Sequence, residues 1–197
     1  MTPTDGLDLS LRRAEPDDAT PLADLYTQAR VAAVPMMPPA LHTNAEDRAW
    51  FATRLARPTH EAWVAERDGL LLGYALMDAV WLDHLFVRAD MTGQGVGGVL
   101  LDLVKSLRPD GFSLWVFESN SGARRFYARR GLVELERTDG AANEERAPDI
   151  RMAWPGCDPQ AFFGRLLTDV DDQLADLTAR RAALTRALAA LPAAPAP

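Results

Sequence analysis

The sequence predicts an α/β (α+β) fold in which mostly antiparallel strands are flanked by helices, followed by a separate C-terminal helical extension. Three observations predict it. Apolar runs between residues 61 and 87 are joined by turns too short to hold a crossover helix, which indicates an antiparallel meander. A glycine cluster at residues 92–98 opens into an amphipathic helical stripe, and a strand–helix pattern follows it. From residue 158 the pattern changes to a heptad stripe on an Ala- and Leu-rich segment.

Taken in order, residues 9–14 read as a short opening strand. Glu15-Pro16-Asp17-Asp18 marks a turn into a helix, because proline fixes φ and acids suit a helix start. Leu22, Leu25, Tyr26, Ala29 and Ala33 recur at helical spacing until Pro35, Pro38 and Pro39 end the run. A second helix is expected from Asn44, read as its N-cap, to about Ala56, with Trp50, Phe51 and Leu55 on one face. Residues 61–66 form a strand, Arg67-Asp68-Gly69 a tight turn, residues 70–80 a longer returning strand and residues 81–87 a third. Val96, Val99, Leu100, Leu103, Val104 and Leu107 then form an i, i+3, i+4 stripe, so a helix starts within the glycines.

Pro109-Asp110-Gly111 turns the chain into a strand at residues 112–117. A helix follows from about Ser121 to Arg130, stopped by Gly131, which suits the left-handed position after a helix end. Residues 132–137 and 150–154 read as closing strands around a polar surface loop. Val170, Leu174, Leu177, Leu184, Leu188 and Leu191 alternate steps of three and four, with Arg181 in the missing slot. That stripe suits either a homodimeric coiled coil or a helix folded back on its own domain. Residues 192–197 read as a frayed tail. The division expected is a domain over 1–156 and an extension over 157–197.

Composition narrows the function classes. Among 197 residues the net charge is −7, and no basic cluster is denser than Arg124, Arg125, Arg129 and Arg130, which argues against a nucleic-acid partner. An acidic surface is compatible with a cationic substrate such as an amine. One cysteine, Cys157, precludes an internal disulfide and fits a reducing compartment. The first ten residues lack a basic start followed by an apolar run, and no apolar stretch approaches the roughly 20 residues a membrane span takes. The expectation is a cytoplasmic protein without a membrane partner.

Thr92-Gly93-Gln94-Gly95-Val96-Gly97-Gly98 is the segment richest in chemical meaning. A strand running into glycines at a helix start exposes unpaired N–H groups, and the helix dipole there favours an anion. A P-loop is excluded because Val99, not Lys, follows Gly98. Gly93, Gly95 and Gly98 do satisfy the dinucleotide spacing, with Glu118 near the place of a ribose-binding acid. The five residues between Val87 and Gly93, and the preceding meander, oppose that reading.

The same glycine segment, leading from Val87 into an apolar helix, resembles the acetyl-CoA pyrophosphate loop of the GNAT superfamily of N-acetyltransferases. Gly95 and Gly97 match the family's glycines, while Thr92 stands where Arg or Gln is usual. Asn120, Ala123, Phe126, Tyr127, Gly131 and Leu132 look like the family's second signature, in the right order and at the right separation. The resemblance covers roughly residues 9–155, and residues 81–154 look like a bacterial subgroup with an Asn143-Glu144-Glu145 loop. It implies a mixed, mostly antiparallel central sheet and transfer of an acetyl group from acetyl-CoA to a primary amine of a small molecule or peptide.

By that resemblance Leu85, Phe86 and Val87 would contact the pantetheine arm through main-chain groups, and residues 92–98 would hold the diphosphate. Asn120 and Phe126 would border the arm, although Asn120 reads equally well as an N-cap. Tyr127 would be the general acid; beside Phe126 it also reads as a core aromatic. For the base, Asp83, His84 and Glu118 are candidates, with Glu118 the one carried forward and a water relay the alternative. Strand alternation sends Asp83 and His84 to opposite faces. Trp81 and the Asn143-Glu144-Glu145 loop could meet the acceptor, the simpler reading of that loop being a solvated acidic turn. A non-catalytic acyl-CoA-binding regulatory module and a nicotinamide-dependent oxidoreductase are the competing functions.

Overall fold

The computed structural model describes residues 8–191, and the tail expected over residues 192–197 lies outside them. Two compact units divide the chain, Met1–Cys157 and Asp158–Pro197.

In the first unit a four-stranded antiparallel sheet has the order β1 (Ser10–Arg13), β2 (Glu61–Arg67), β3 (Leu70–Met77), β4 (Leu82–Val87). Helices α1 (Ala19–Ala32) and α2 (Asn44–Leu55) lie between β1 and β2 in the chain. After β4 come α3 (Val96–Leu107), β5 (Phe112–Phe117), α4 (Ser121–Arg129), β6 (Val133–Arg137) and β7 (Asp149–Trp154). The last three strands form a second antiparallel sheet, ordered β5-β7-β6. One parallel bridge, Trp81 to Ser113, links the two sheets, with the Ser113 N–H donating to the Val80 carbonyl at 2.9 Å.

Alternation along β3 explains how two cores share one sheet. Tyr74 and Leu76 join Leu22, Leu25, Phe51 and Val64 under α1 and α2. Ala75 and Met77 point the other way, toward Leu100, Leu101 and Val104 of α3, and that core continues through Leu114, Ile150 and Met152. A strand buried on both faces must be apolar at successive positions, which is why residues 70–77 read as an unbroken run. The run stops earlier than its composition suggests. Asp78 Oδ1 accepts from the N–H groups of Val80 and Trp81 at 2.8 and 2.7 Å, turning the chain three residues before the expected end.

One further boundary moves for a local reason. The N-cap of α2 is Thr43 rather than Asn44: its hydroxyl accepts from Glu46 N–H, and the Glu46 carboxylate reaches back to Thr43 N–H at 2.8 Å. Asn44 instead donates its side-chain amide to the Thr27 hydroxyl at 2.9 Å. Gly131, with φ of 80°, follows α4 in the left-handed region as its position predicts.

The second unit is one helix, α5 (Pro159–Ala189), capped by Asp158, whose carboxylate accepts from Ala161 N–H at 3.0 Å. Val170, Leu174, Leu177, Leu184 and Leu188 are exposed along it, as is Leu191 just beyond its end. Among the described residues no helix is long and apolar enough to cross a membrane.

Candidate functional site

Beyond the Trp81–Ser113 bridge β4 and β5 part, and the space between them is a cleft of about 1320 Å³. Residues 82–87 of β4 form one wall and residues 114–117 of β5 the other. Glycines of the loop before α3 border one end, and Arg30, Met36, Met37, Asn143 and Glu145 border another part of the rim.

At the glycine end the backbone leaves several donors free. Gly95 caps α3 with φ of 92°, a conformation that carries no side-chain cap and that a β-carbon would strain. Among the described residues the N–H groups of Gly93, Gly95, Val96, Gly97 and Gly98 have no hydrogen-bond acceptor. Gly93, Gly95, Gly97 and Gly98 line the cleft, as does Thr92. Gln94 does not: its side-chain amide donates back to the Asp90 carbonyl at 2.8 Å. Val96 turns its side chain fully into the core, so only its N–H belongs to the loop's open face. Unpaired amides at the positive end of a helix dipole bind phosphate without any charged side chain.

The β4 edge continues this main-chain surface. Arg88 N–H donates to Leu72 of β3, so alternation directs the main-chain groups of Phe86 to β3 as well and those of Leu85 and Val87 to the open edge. Phe86 contributes its ring, which packs toward the α1–α2 core, rather than its amide. Near the bridge the register jumps from Leu76 opposite His84 to Met77 opposite Leu82, leaving Asp83 without a partner on β3. This bulge breaks the expected alternation, and both Asp83 and His84 line the cleft.

The three titratable groups at the centre differ sharply. Tyr127 is 8% exposed on α4, its hydroxyl makes no hydrogen bond among the described residues, and it lines the cleft. Burial pushes its phenol well above the ordinary value of 10, so the hydroxyl keeps its proton. His84 is stacked between Tyr26 and Trp50, with ring centroids 5.1 and 4.9 Å away. Its Nδ1 lies 2.9 Å from the fully buried Tyr74 hydroxyl. Among the described residues that hydroxyl has no other acceptor, so donation to Nδ1 satisfies it and leaves the ring proton on Nε2. Desolvation lowers the imidazole to about 3, the neighbouring cations Arg30 and Arg54 adding to the effect. A neutral ring with a proton on Nε2 is a donor, which removes His84 from the bases. Asp83 goes the other way: burial, then repulsion from Asp78, raises its carboxyl above the ordinary range. His60 Nε2 stands 3.7 Å from it.

Glu118, the base carried forward from the sequence, is not among the cleft residues. Its carboxylate pairs with Arg137 at 2.9 Å on an exposed edge, because the residue follows the end of β5 rather than facing β4. Asn120 is the cap of α4, its side-chain oxygen accepting from Ala123 N–H at 3.0 Å while the residue borders the cleft. Phe126 lines the cleft too.

The Asn143-Glu144-Glu145 loop is not a freely solvated turn. Glu145 pairs with Arg30 of α1 at 3.0 Å, and Glu144 meets His42 at 2.8 Å. Ser119 adds a hydrogen bond to the Met36 carbonyl at 2.8 Å. Together these tie the α1–α2 connection to the β5–α4 and β6–β7 turns across the cleft. Asn143 braces the loop from inside, donating to the Ala147 carbonyl and the Asp149 carboxylate. Arg30 is 4% exposed and lies 5.8 Å from the Tyr26 and Phe117 ring centroids. It escaped the sequence reading because it sits beside the apolar stripe of α1 and its partner is 115 residues away. The sequence signal was a charged residue one step off a helix's apolar face.

Known proteins agree with this geometry. The acetyltransferase (GNAT) family model matches residues 23–132. An uncharacterized N-acetyltransferase of Archaeoglobus fulgidus is 28% identical over 152 residues, covering 69% of this chain and all of its own. The peptidyl-lysine N-acetyltransferase YjaB of Escherichia coli is 27% identical over 150 residues, covering 75% of this chain and 98% of its own. The structure of yncA of Salmonella typhimurium with acetyl-CoA is 16% identical and superposes with a TM-score of 0.60 over 77% of this chain and 95% of its own. With its splayed strands, glycine-opened helix and both signatures inside the matched region, this chain belongs to the GNAT family of acetyltransferases.

Proposed function

We propose that this protein transfers the acetyl group of acetyl-CoA to a primary amine of a small molecule or peptide, by direct attack within the β4–β5 cleft. The observation that carries the reading is the run of acceptor-less amides at residues 93–98, continuous with the open main-chain edge of β4 at Leu85 and Val87. Those amides suit the diphosphate, and the β4 edge suits the amide-bearing pantetheine arm, which can extend the sheet as a strand would. The bound donor supplies an activated thioester carbonyl. Asp83 accepts the proton that the acceptor's ammonium must lose, its raised carboxyl bringing it closer to the basicity the task needs. After the C–N bond has formed, Tyr127 gives its proton to the thiolate as the C–S bond breaks, and the second proton shed by the nitrogen on becoming an amide restores the phenol. His84 Nε2–H and the free N–H groups of β4 are donors available to the thioester oxygen.

The identity of the acceptor is drawn from chemistry and from a relative. Asp83, Glu136, Asp149 and Glu145 give the cleft rim several carboxylates, which suit a cationic amine. The YjaB relative is named for peptidyl-lysine, and a lysine side chain is such an amine. The catalytic domain in this reading spans residues 1–156, and the extension over 157–197 pairs two copies through α5.

Release of free thiol from acetyl-CoA in the presence of lysine peptides, polyamines and amino acids tests the reading. Turnover with at least one amine is expected, and Tyr127→Phe is expected to lower kcat by about 10²–10⁴-fold with CoA affinity retained. Tight CoA binding without turnover on any amine would instead favour the non-catalytic acyl-CoA-binding module.

A further inference from the structure

Thr92 occupies the place where a long donor side chain is usual, which leaves the glycine loop with amides but no cation of its own. A guanidinium reaches it from another element. Arg130, immediately after α4, lies over the first turn of α3: a β-carbon built on Gly98 would meet its Nη2 at 2.1 Å and its Cζ at 3.1 Å. Glycine at 98 is therefore what lets the guanidinium rest on the main chain there. The ring of Phe126 lies against the same guanidinium, 4.6 Å from Cζ to the ring centroid. A planar cation held by both a backbone and an aromatic ring has its orientation fixed before any ligand arrives.

Arg12, Arg48, Arg88, Arg108, Arg124 and Arg137 each face a carboxylate within 4 Å. Among the described residues Arg130, like several other arginines, faces none, and its buried Nε lacks an acceptor, as do those of Arg30, Arg67 and Arg124; what sets Arg130 apart is its place on the glycine loop. A second cation stands close by, since Lys105 Nζ donates to the Arg130 carbonyl at 2.5 Å. Arg130 lines the cleft together with Gly93, Gly95, Gly97 and Gly98, the residues that bear the free amides. An orphaned guanidinium donor beside a set of orphaned amides is a half-made anion site.

We propose that Arg130 binds a phosphate of the nucleotide half of CoA, supplying from the end of α4 the cation that Thr92 does not. The inference rests on the acetyl-CoA reading of the cleft. Two phosphates share the chemistry, the diphosphate bridging adenosine to pantetheine and the 3′-phosphate on the ribose.

Titration calorimetry on the full chain with CoA and with 3′-dephospho-CoA separates them. Arg130→Met keeps the aliphatic stem over Phe126 and removes the charge. It is expected to weaken CoA binding by about 10- to 100-fold, to raise KM for acetyl-CoA with kcat at saturation unchanged, and to leave ligand-free thermal unfolding near that of the wild type. Arg130→Lys should recover part of the affinity. An equal loss with dephospho-CoA assigns the diphosphate, and a loss confined to CoA assigns the 3′-phosphate. Wild type and Arg130→Met binding CoA equally would overturn the inference alone; a wild type that does not bind CoA would overturn it along with the reading beneath it. Should Arg130→Met fail to fold, the arginine Nε–H resonances of the wild-type protein decide. An Arg130 signal that shifts on saturation with CoA supports the contact, and one that does not move refutes it.

Discussion

Desolvation acts on three side chains around the cleft and gives each a different chemical character. The Tyr127 phenol is held protonated, the His84 imidazole is held neutral at about 3, and the Asp83 carboxyl is raised. The signs follow from one rule, that burial disfavours whichever form carries charge. If Asp83 is the base, kcat/KM should fall as pH drops through a midpoint above the ordinary carboxylate value, because the folded-state value is raised and the deprotonated form is the active one. A pH–rate profile of Asp83→Asn that retains the same acidic limb at similar rates would remove Asp83 from the mechanism. Replacing His84 by Gln, which keeps a donor, is expected to preserve much more activity than replacement by Leu. Equal losses in steady-state assays of the two would reject the donor role.

At the scale of elements, two ties hold the turns around the cleft, and they differ in burial. Arg30 and Glu145 are almost out of water, with side chains 5% and 19% exposed. Glu145→Gln leaves a buried guanidinium short of its counter-charge and is expected to cost roughly 2–4 kcal/mol in denaturant unfolding. A change under about 0.5 kcal/mol would mean that the Pro38 and Pro39 carbonyls and the flanking rings suffice. His42 and Glu144 lie in solvent, and the hydrogen bond to Glu144 raises the imidazole above 6.5. A raised histidine contributes its charge–charge contact fully below 6.5, and the contact is lost as pH climbs through the folded value. NMR titration of His42 should show the midpoint moving down in Glu144→Gln; an unmoved midpoint would mean the pair does not form in solution.

For the whole molecule, the exposed heptad stripe of α5 sets the expectation of a dimer. Leucines every three and four residues along 31 helical residues form a seam that two copies can bury together. Leu177→Asp with Leu184→Asp should halve the mass seen by light scattering and leave CoA affinity intact, since the residues named for CoA binding all belong to the first unit. Identical masses for variant and parent would exclude pairing through this stripe.

Much of this was legible from residue order alone. The meander, the glycine-opened helix, the Gly131 stop and the heptad stripe are periodic or local patterns, fixed by backbone sterics and by the side-chain repeat of helix and strand. The free amides at the start of α3 were legible for the same reason, because the first turn of a helix leaves its N–H groups without intrahelical acceptors. What only the tertiary structure decided are the contacts that cross the chain and the burial that follows from them. The bulge that brings Asp83 to the cleft, the Tyr74 hydroxyl that fixes the His84 proton, the Arg137 that draws Glu118 away and the Arg130 laid over Gly98 all depend on strands and helices from separate stretches meeting. Charge and proton affinity are set by what surrounds a side chain in space, and sequence order states only its neighbours along the backbone.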